Sequence, residues 1–145
     1  VLTSFDACIE FELAREGAPP GKDGYVNDPR DAGGETKFGI SKAAYPALDI
    51  KSLTREQAIE IYRRDYWSPL GAAAIAAPLR LAVLDCAINC GVGRAKALLP
   101  GTGDLDDYLW ARAAYYRQIV QKRPKNLAFL PGWLRRLELV RAASR

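Results

Sequence analysis

Apolar residues recur at three- and four-residue spacing through Phe5, Cys8, Ile9 and Leu13, with Glu12 on the same line. That pattern, with Ser4 as N-cap and Gly17 as terminator, predicts a helix over Ser4–Arg15 and leaves Glu16 at its C-terminal end. Thr54 and Gln57 form a capping box ahead of "REQAIEIYRRDYW", a helix with Ile59, Tyr62 and Tyr66 on one side. "LRLAVLDCAINCG" is apolar nearly all round, which predicts a central buried helix ended by Gly91, and "GRAKALL" is a short helix stopped by Pro100. Thr102 or Asp104 caps "DLDDYLWARAAYYRQIVQKR", whose stripe is Leu105, Tyr108, Leu109, Arg112 and Tyr116, and "GWLRRLELVRAA" is the last helix. Only Gly24–Ile40 reads as non-helical, with "GYV" and "TKFGI" as short strands at most. The expected fold is mainly α, with a small turn-rich or β lobe inserted after the first helix.

Composition narrows the chemistry. At 145 residues, 49% hydrophobic and 26% charged, the chain fits one globular domain, and no internal repeat is present. The longest weakly polar run, Leu70–Leu79, is interrupted by Pro78 and falls far short of the roughly 20 residues that span a bilayer, so no membrane insertion is expected. The N-terminal "VLTSFDACIEF" carries Asp6, Glu10 and Glu12 and no basic leader, which does not read as a signal peptide. Cys8, Cys86 and Cys90 sit in apolar helical patterns and read as buried, reduced thiols. Histidine is absent. That removes Ser-His-Asp and Cys-His hydrolases and the zinc peptidases and amidases, and no metal or cofactor is expected. Carboxylate, lysine and tyrosine remain for acid and base work.

Charge is unevenly distributed. Residues 112–145 hold nine basic and one acidic residue, against twelve and sixteen before them. A basic end of this kind suits a polyanion, or is a solvated helix face. No helix-turn-helix, zinc or RNA-binding signature accompanies it, so nucleic acid is not an expected partner.

The stretch that a connector does not explain is "EGAPPGKDGYVNDPRDAGGETKFGIS", Glu16–Ser41. A glutamate ending a buried helix beside a glycine-rich lobe stands where partial desolvation raises a carboxyl pKa and fits it for general-acid work. It also reads as a surface residue at a helix end. Asp28 and Asp31, next to Pro29 and Gly33, supply a second carboxylate, or serve as turn residues.

Glu16-Gly17 followed by "GYVNDPRDAGGETKFGIS" resembles the pattern E-G-G-Y-x-N-D-P-x-D-x-G-G-x-T-x-x-G-I of glycoside hydrolase family 108, the phage and bacterial peptidoglycan muramidases. "EIYRRDYWSPL", "AVLDCAINCGVGRAKALL" and "GWLRRLELV" resemble further segments of that family in the same order, the last two from its peptidoglycan-binding portion. The resemblance implies a single lysozyme-like domain over 1–145. Residues 1–70 would carry the catalytic motif and small lobe, and 71–145 the helical portion. Glu16 falls on the family's catalytic glutamate, and Asp31 and Thr36 on the aspartate and threonine that handle water. Ala18–Asp23, "APPGKD", interrupts the motif, so Asp31 stands 15 positions after Glu16. An insertion at a turn can bulge outward without displacing its ends.

Tyr25, Asn27, Tyr62, Trp67 and Asn89 are the expected sugar contacts, although at helical spacing Tyr62 reads more readily as core. Asn89, polar in an apolar helix, is expected to bond the lobe backbone or an N-acetyl group. The implied activity is cleavage of the bond from N-acetylmuramic acid to N-acetylglucosamine by a monomeric phage or prophage endolysin. It would be made in the host cytoplasm and act at the wall or in the periplasm, with peptidoglycan as partner. A lytic transglycosylase and a non-catalytic wall-binding or virion module are the alternatives.

Overall fold

In the computed structural model, which describes residues 1–145, the helices form largely where the apolar periodicity places them. The chain divides into two compact units, Phe5–Asp65 and Val1–Ser4 together with Tyr66–Arg145.

In the unit Phe5–Asp65, helix α1 (Phe5–Arg15) buries Phe5, Cys8, Ile9, Glu12 and Leu13, the line read from the spacing. It ends in a Schellman motif. The N–H of Glu16 still donates to Glu12 and Leu13, each at 3.1 Å, and Gly17 takes a left-handed φ of 77°. The Gly17 and Ala18 N–H groups then return to the carbonyls of Ala14 at 3.4 Å and Leu13 at 2.9 Å.

The lobe that follows is a small antiparallel ladder. Strand β1 (Thr36–Lys37) pairs with β2 (Ile40–Ser41), Thr36 opposite Ser41 and Lys37 opposite Ile40, and Val26 adds a bridge to Thr36. Phe38 and Gly39 connect the strands with φ of 52° and 76°, the two-residue type I′ geometry that matches strand twist. A phenylalanine in that region costs about 1–2 kcal/mol. Burial of the ring offsets it, as do two backbone bonds: Phe38 N–H to Asp23 O, and the Tyr62 hydroxyl to Phe38 O, each 2.8 Å.

Helix α2 (Arg55–Tyr62) starts on the expected capping box, with Gln57 N–H donating to Thr54 Oγ1 at 3.2 Å and Thr54 N–H to Gln57 Oε1 at 2.9 Å. Its buried side chains are Ala58, Ile61 and Tyr62, so the face is rotated from the expected Ile59 line. The helix also does not run regularly through Trp67. Residues Arg63–Trp67 form a π turn, followed by the short α3 (Ser68–Leu70). Pro69 is the cause: it lacks the N–H that would reach Asp65, and its ring would press on that carbonyl. The wider turn takes Tyr66 off the Tyr62 line.

In the other unit, α4 (Arg80–Cys90) buries every residue from Leu81 to Ala87 and touches α5 (Val92–Ala97), α6 (Leu105–Lys122) and α7 (Leu130–Ser144). Asp104 caps α6 by accepting from Asp107 N–H at 3.0 Å, while Thr102 braces the cap by donating to Asp107 Oδ2 at 2.8 Å. The stripe Leu105, Tyr108, Leu109, Arg112 and Tyr116 is buried as the sequence requires. A 3₁₀ turn over Pro124–Ala128 precedes α7, which starts two residues before Gly132, with Pro131 in the first turn where a missing N–H is harmless.

The core of this unit holds charge. Arg112 Nη2 lies 2.7 Å from Asp85 Oδ2, both side chains fully buried, and Arg136 Nε donates to Asp85 Oδ1 at 2.6 Å. Arg112 also donates to Tyr116 Oη at 2.8 Å and to Ala82 O at 3.3 Å. Burial works against its charge, but Asp85 and Tyr116 more than offset this and hold its pKa above the ordinary arginine value. The cysteines are free. Cys8 and Cys86 are buried as expected, whereas Cys90 is only half-buried, with Sγ 3.8 Å from Tyr116 Oη.

Candidate active site

The half-buried Glu16 is positioned by absent side chains. A β-carbon on Gly24 would stand 2.7 Å from the Glu16 carbonyl oxygen, and one on Gly39 would stand 2.7 Å from Glu16 Cγ and 2.5 Å from Tyr62 Oη. Only glycine fits at either place. Gly24 therefore seats the Glu16 backbone, and Gly39, at the hairpin tip, lies against the Glu16 stem. Tyr62 is 2% exposed and its hydroxyl holds Phe38 O. Of its two readings, the ring is core, and the residue supports the hairpin rather than offering a face to a sugar.

The lobe carboxylates differ in how they are occupied. Asp28 accepts from Arg30 N–H at 2.9 Å and meets the guanidinium with both oxygens, at 3.0 and 2.9 Å. The Arg30 side chain first, and its N–H second, hold the Asp28 carboxyl below the usual carboxylate range. Asp31 is exposed and engages one oxygen only, Oδ1, with Gly33 N–H at 2.9 Å. Both aspartates thus make turns, but Asp31 alone leaves an oxygen uncommitted. Thr36 is fixed by its ladder bonds with Val26, at 2.8 and 2.9 Å, while its hydroxyl makes only a long 3.3 Å bond to Gly34 O. Such a hydroxyl is readily redirected to water.

The six-residue insertion is a closed loop. Its flanking glycines touch, since the Gly24 β-carbon position lies 3.2 Å from Gly17 C. Lys22 N–H closes a turn on Pro19 O at 2.9 Å, Ala18 is buried, and Arg55 clamps the base by donating to Ala18 O at 2.9 Å and to Glu10 Oε2 at 2.6 Å. The loop thus leaves and rejoins at Gly17 and Gly24, and the Val26–Thr36 bridge follows directly after it.

Tyr25 is partly exposed and donates to Glu35 Oε1 at 2.6 Å, a bond that raises its pKa above the ordinary phenol value, and Asn27, on the other side of the Val26 bridge, is exposed. Trp67 and Asn89 belong to the other unit. Trp67 ends the π turn, half-buried, and Asn89 is exposed. Asn89 Nδ2 donates within its own helix, to Asp85 O at 2.7 Å. Arg141 and Arg145 of the basic end both meet Asp106, at 3.2 and 2.8 Å, which ties α7 to the first turn of α6. No three His, Cys, Asp or Glu side chains converge as a metal-ligand set. No helix is long and apolar enough to cross a membrane.

The sequence reading missed Gly39, Gly24 and Arg55. A signal existed for the first, because an isolated glycine in a strand-like run marks close backbone approach.

Residues 9–91 match the glycosyl hydrolase 108 family, a span that holds Glu16, Asp31, Thr36, Tyr62, Trp67 and Asn89 but not "GWLRRLELV". The structure of Brucella abortus SagA is similar, with a TM-score of 0.74 and 25% identity over 97% of this chain and 92% of that one. No curated protein matches. The fold is the mainly α, lysozyme-like one with a small lobe.

Proposed function

The chain belongs to the glycosyl hydrolase 108 family of peptidoglycan hydrolases, and from that premise we propose that it is an N-acetylmuramidase with Glu16 as general acid. The observation that carries this reading is the seat of Glu16, a helix-end carboxylate held on its carbonyl by Gly24 and along its stem by Gly39. A proton donor fixed in this way meets a glycosidic oxygen without reorganising. Asp31, through its uncommitted oxygen, and Thr36, through its weakly held hydroxyl, position the water that attacks the sugar. Asp31 is preferred to Asp28 for that role because both Asp28 oxygens are engaged by Arg30. Tyr25 and Asn27 line the glycan's path on the lobe. The enzyme acts as a monomer on the bacterial wall, in the manner of a phage or prophage endolysin; the motif resemblance supports that setting.

The test is digestion of purified peptidoglycan by the wild type and Glu16→Gln, with products read by mass spectrometry. The wild type should release new reducing N-acetylmuramic acid ends. Glu16→Gln should lose roughly 10²–10⁴-fold in rate, the usual worth of a positioned acid. Anhydro-muramic ends would replace hydrolysis with transglycosylation, and activity of Glu16→Gln within a few-fold of wild type would remove Glu16 from the mechanism.

A further inference from the structure

The insertion does more than bulge. With the lobe it borders an open groove of about 640 Å³ lined by Gly17, the 21–25 stretch, Phe38 and Arg55. That volume lies in the range of small-ligand sites, and one wall begins at the residue after Glu16.

The wall chemistry is selective. Gly17 and Gly21 have left-handed φ of 77° and 83°, and a β-carbon on Gly21 would meet nothing within 4 Å. Side-chain-free backbone thus faces open space, as a peptide ligand needs for main-chain hydrogen bonds. Arg55 is spent on Ala18 O and Glu10. Lys22 and Asp23 are both exposed and neither makes a salt bridge; Asp23 Oδ1 accepts from Tyr25 N–H at 3.0 Å and its second oxygen is uncommitted, so the rim offers one cation and one carboxylate. Tyr25 and Phe38 add apolar surface. A short peptide of small side chains that carries a carboxylate for Lys22 meets these features.

We propose that the insertion-built pocket binds the acidic stem peptide carried by the glycan, with Lys22 pairing its carboxylate and the glycine-lined wall meeting its backbone. The inference rests on the muramidase reading and deepens it: the enzyme distinguishes peptide-bearing from bare glycan through residues that the uninterrupted family motif lacks.

The experiment compares kcat/KM on soluble glycan strands that keep their stem peptides with the same strands stripped by an amidase, for wild type, Lys22→Gln and Lys22→Glu. In parallel, a free stem tetrapeptide is titrated into the wild type while backbone amides are followed by NMR. Wild type should prefer peptide-bearing strands. That preference should fall about three- to tenfold in Lys22→Gln and further in Lys22→Glu, mainly through KM, the scale of one charge-assisted bond at a partly exposed site. The tetrapeptide should shift the Gly21–Tyr25 amides. Equal preference in all three proteins, or tetrapeptide shifts that avoid this stretch, overturns the pocket assignment. If the wild type cleaves neither strand, the muramidase reading fails, and the titration still decides whether the pocket takes an acidic peptide.

Discussion

The two units solve the same problem, holding a polar group in a defined place, by opposite means. In the Phe5–Asp65 unit, Glu16 is located by missing atoms: Gly24 and Gly39 let backbone approach where a β-carbon would collide. In the Tyr66–Arg145 unit, Asp85 and Arg112 are located by charge, each fully buried and each the other's partner. The first device costs backbone entropy and a left-handed tip at Phe38, and it acts on the backbone and stem of Glu16 rather than on its carboxylate. The second uses both charged heads in making structure.

The largest effect should come from breaking the charged device. Arg112→Leu leaves Asp85 buried without its main partner and should cost about 3–5 kcal/mol in chemical denaturation. Replacing Asp85 and Arg112 together by leucine should recover most of that loss, because Arg136 is partly exposed and can turn to solvent. If the double variant is no more stable than the single one, the pair is needed for more than mutual neutralisation.

Gly39→Ala comes next. The new methyl must displace Glu16 or Tyr62, so wall hydrolysis should fall about 10²-fold, while stability should drop by only about 1–3 kcal/mol. Gly103→Ala is the matched control: φ is 69°, with open space around the new carbon. It should show the backbone cost of about 1–2 kcal/mol without loss of turnover. Equal activity losses in the two variants would mean that backbone strain, and not contact with Glu16, sets the effect.

The smallest effect concerns the basic end. Because Arg141 and Arg145 are engaged with Asp106, replacing both by glutamine should cost less than about 1 kcal/mol and leave binding to insoluble wall unchanged at every salt concentration. A fall in wall binding confined to low salt would show that the two arginines attract anionic polymer as well as tie α7 to α6.

What was legible in the sequence follows the same division. Side-chain devices leave a periodic trace, so the α6 stripe could be read with Arg112 inside it, and so could the Thr54 capping box. In α4 the reading singled out Asn89, which is exposed and bonded to its own helix, and passed over Asp85, which is buried. The π turn escaped because its cause, Pro69, acts on a carbonyl four residues back and not on its own position. Glu16 was visible as an acid at a helix end, but what seats it was not. A collision that fails to happen between Gly39, Glu16 and Tyr62 joins residues far apart in the chain, and one sequence carries no mark of such proximity.

The touching glycines at the base of the insertion have a consequence for redesign. A segment that departs and returns at one point can change length or composition without transmitting displacement to Glu16. Each doubling of its length adds only about 0.6 kcal/mol of closure entropy. Gly17 and Gly24 therefore frame an exchangeable cassette beside Glu16. A protein engineer can graft a binding loop at that seam and leave the Glu16 seat in place.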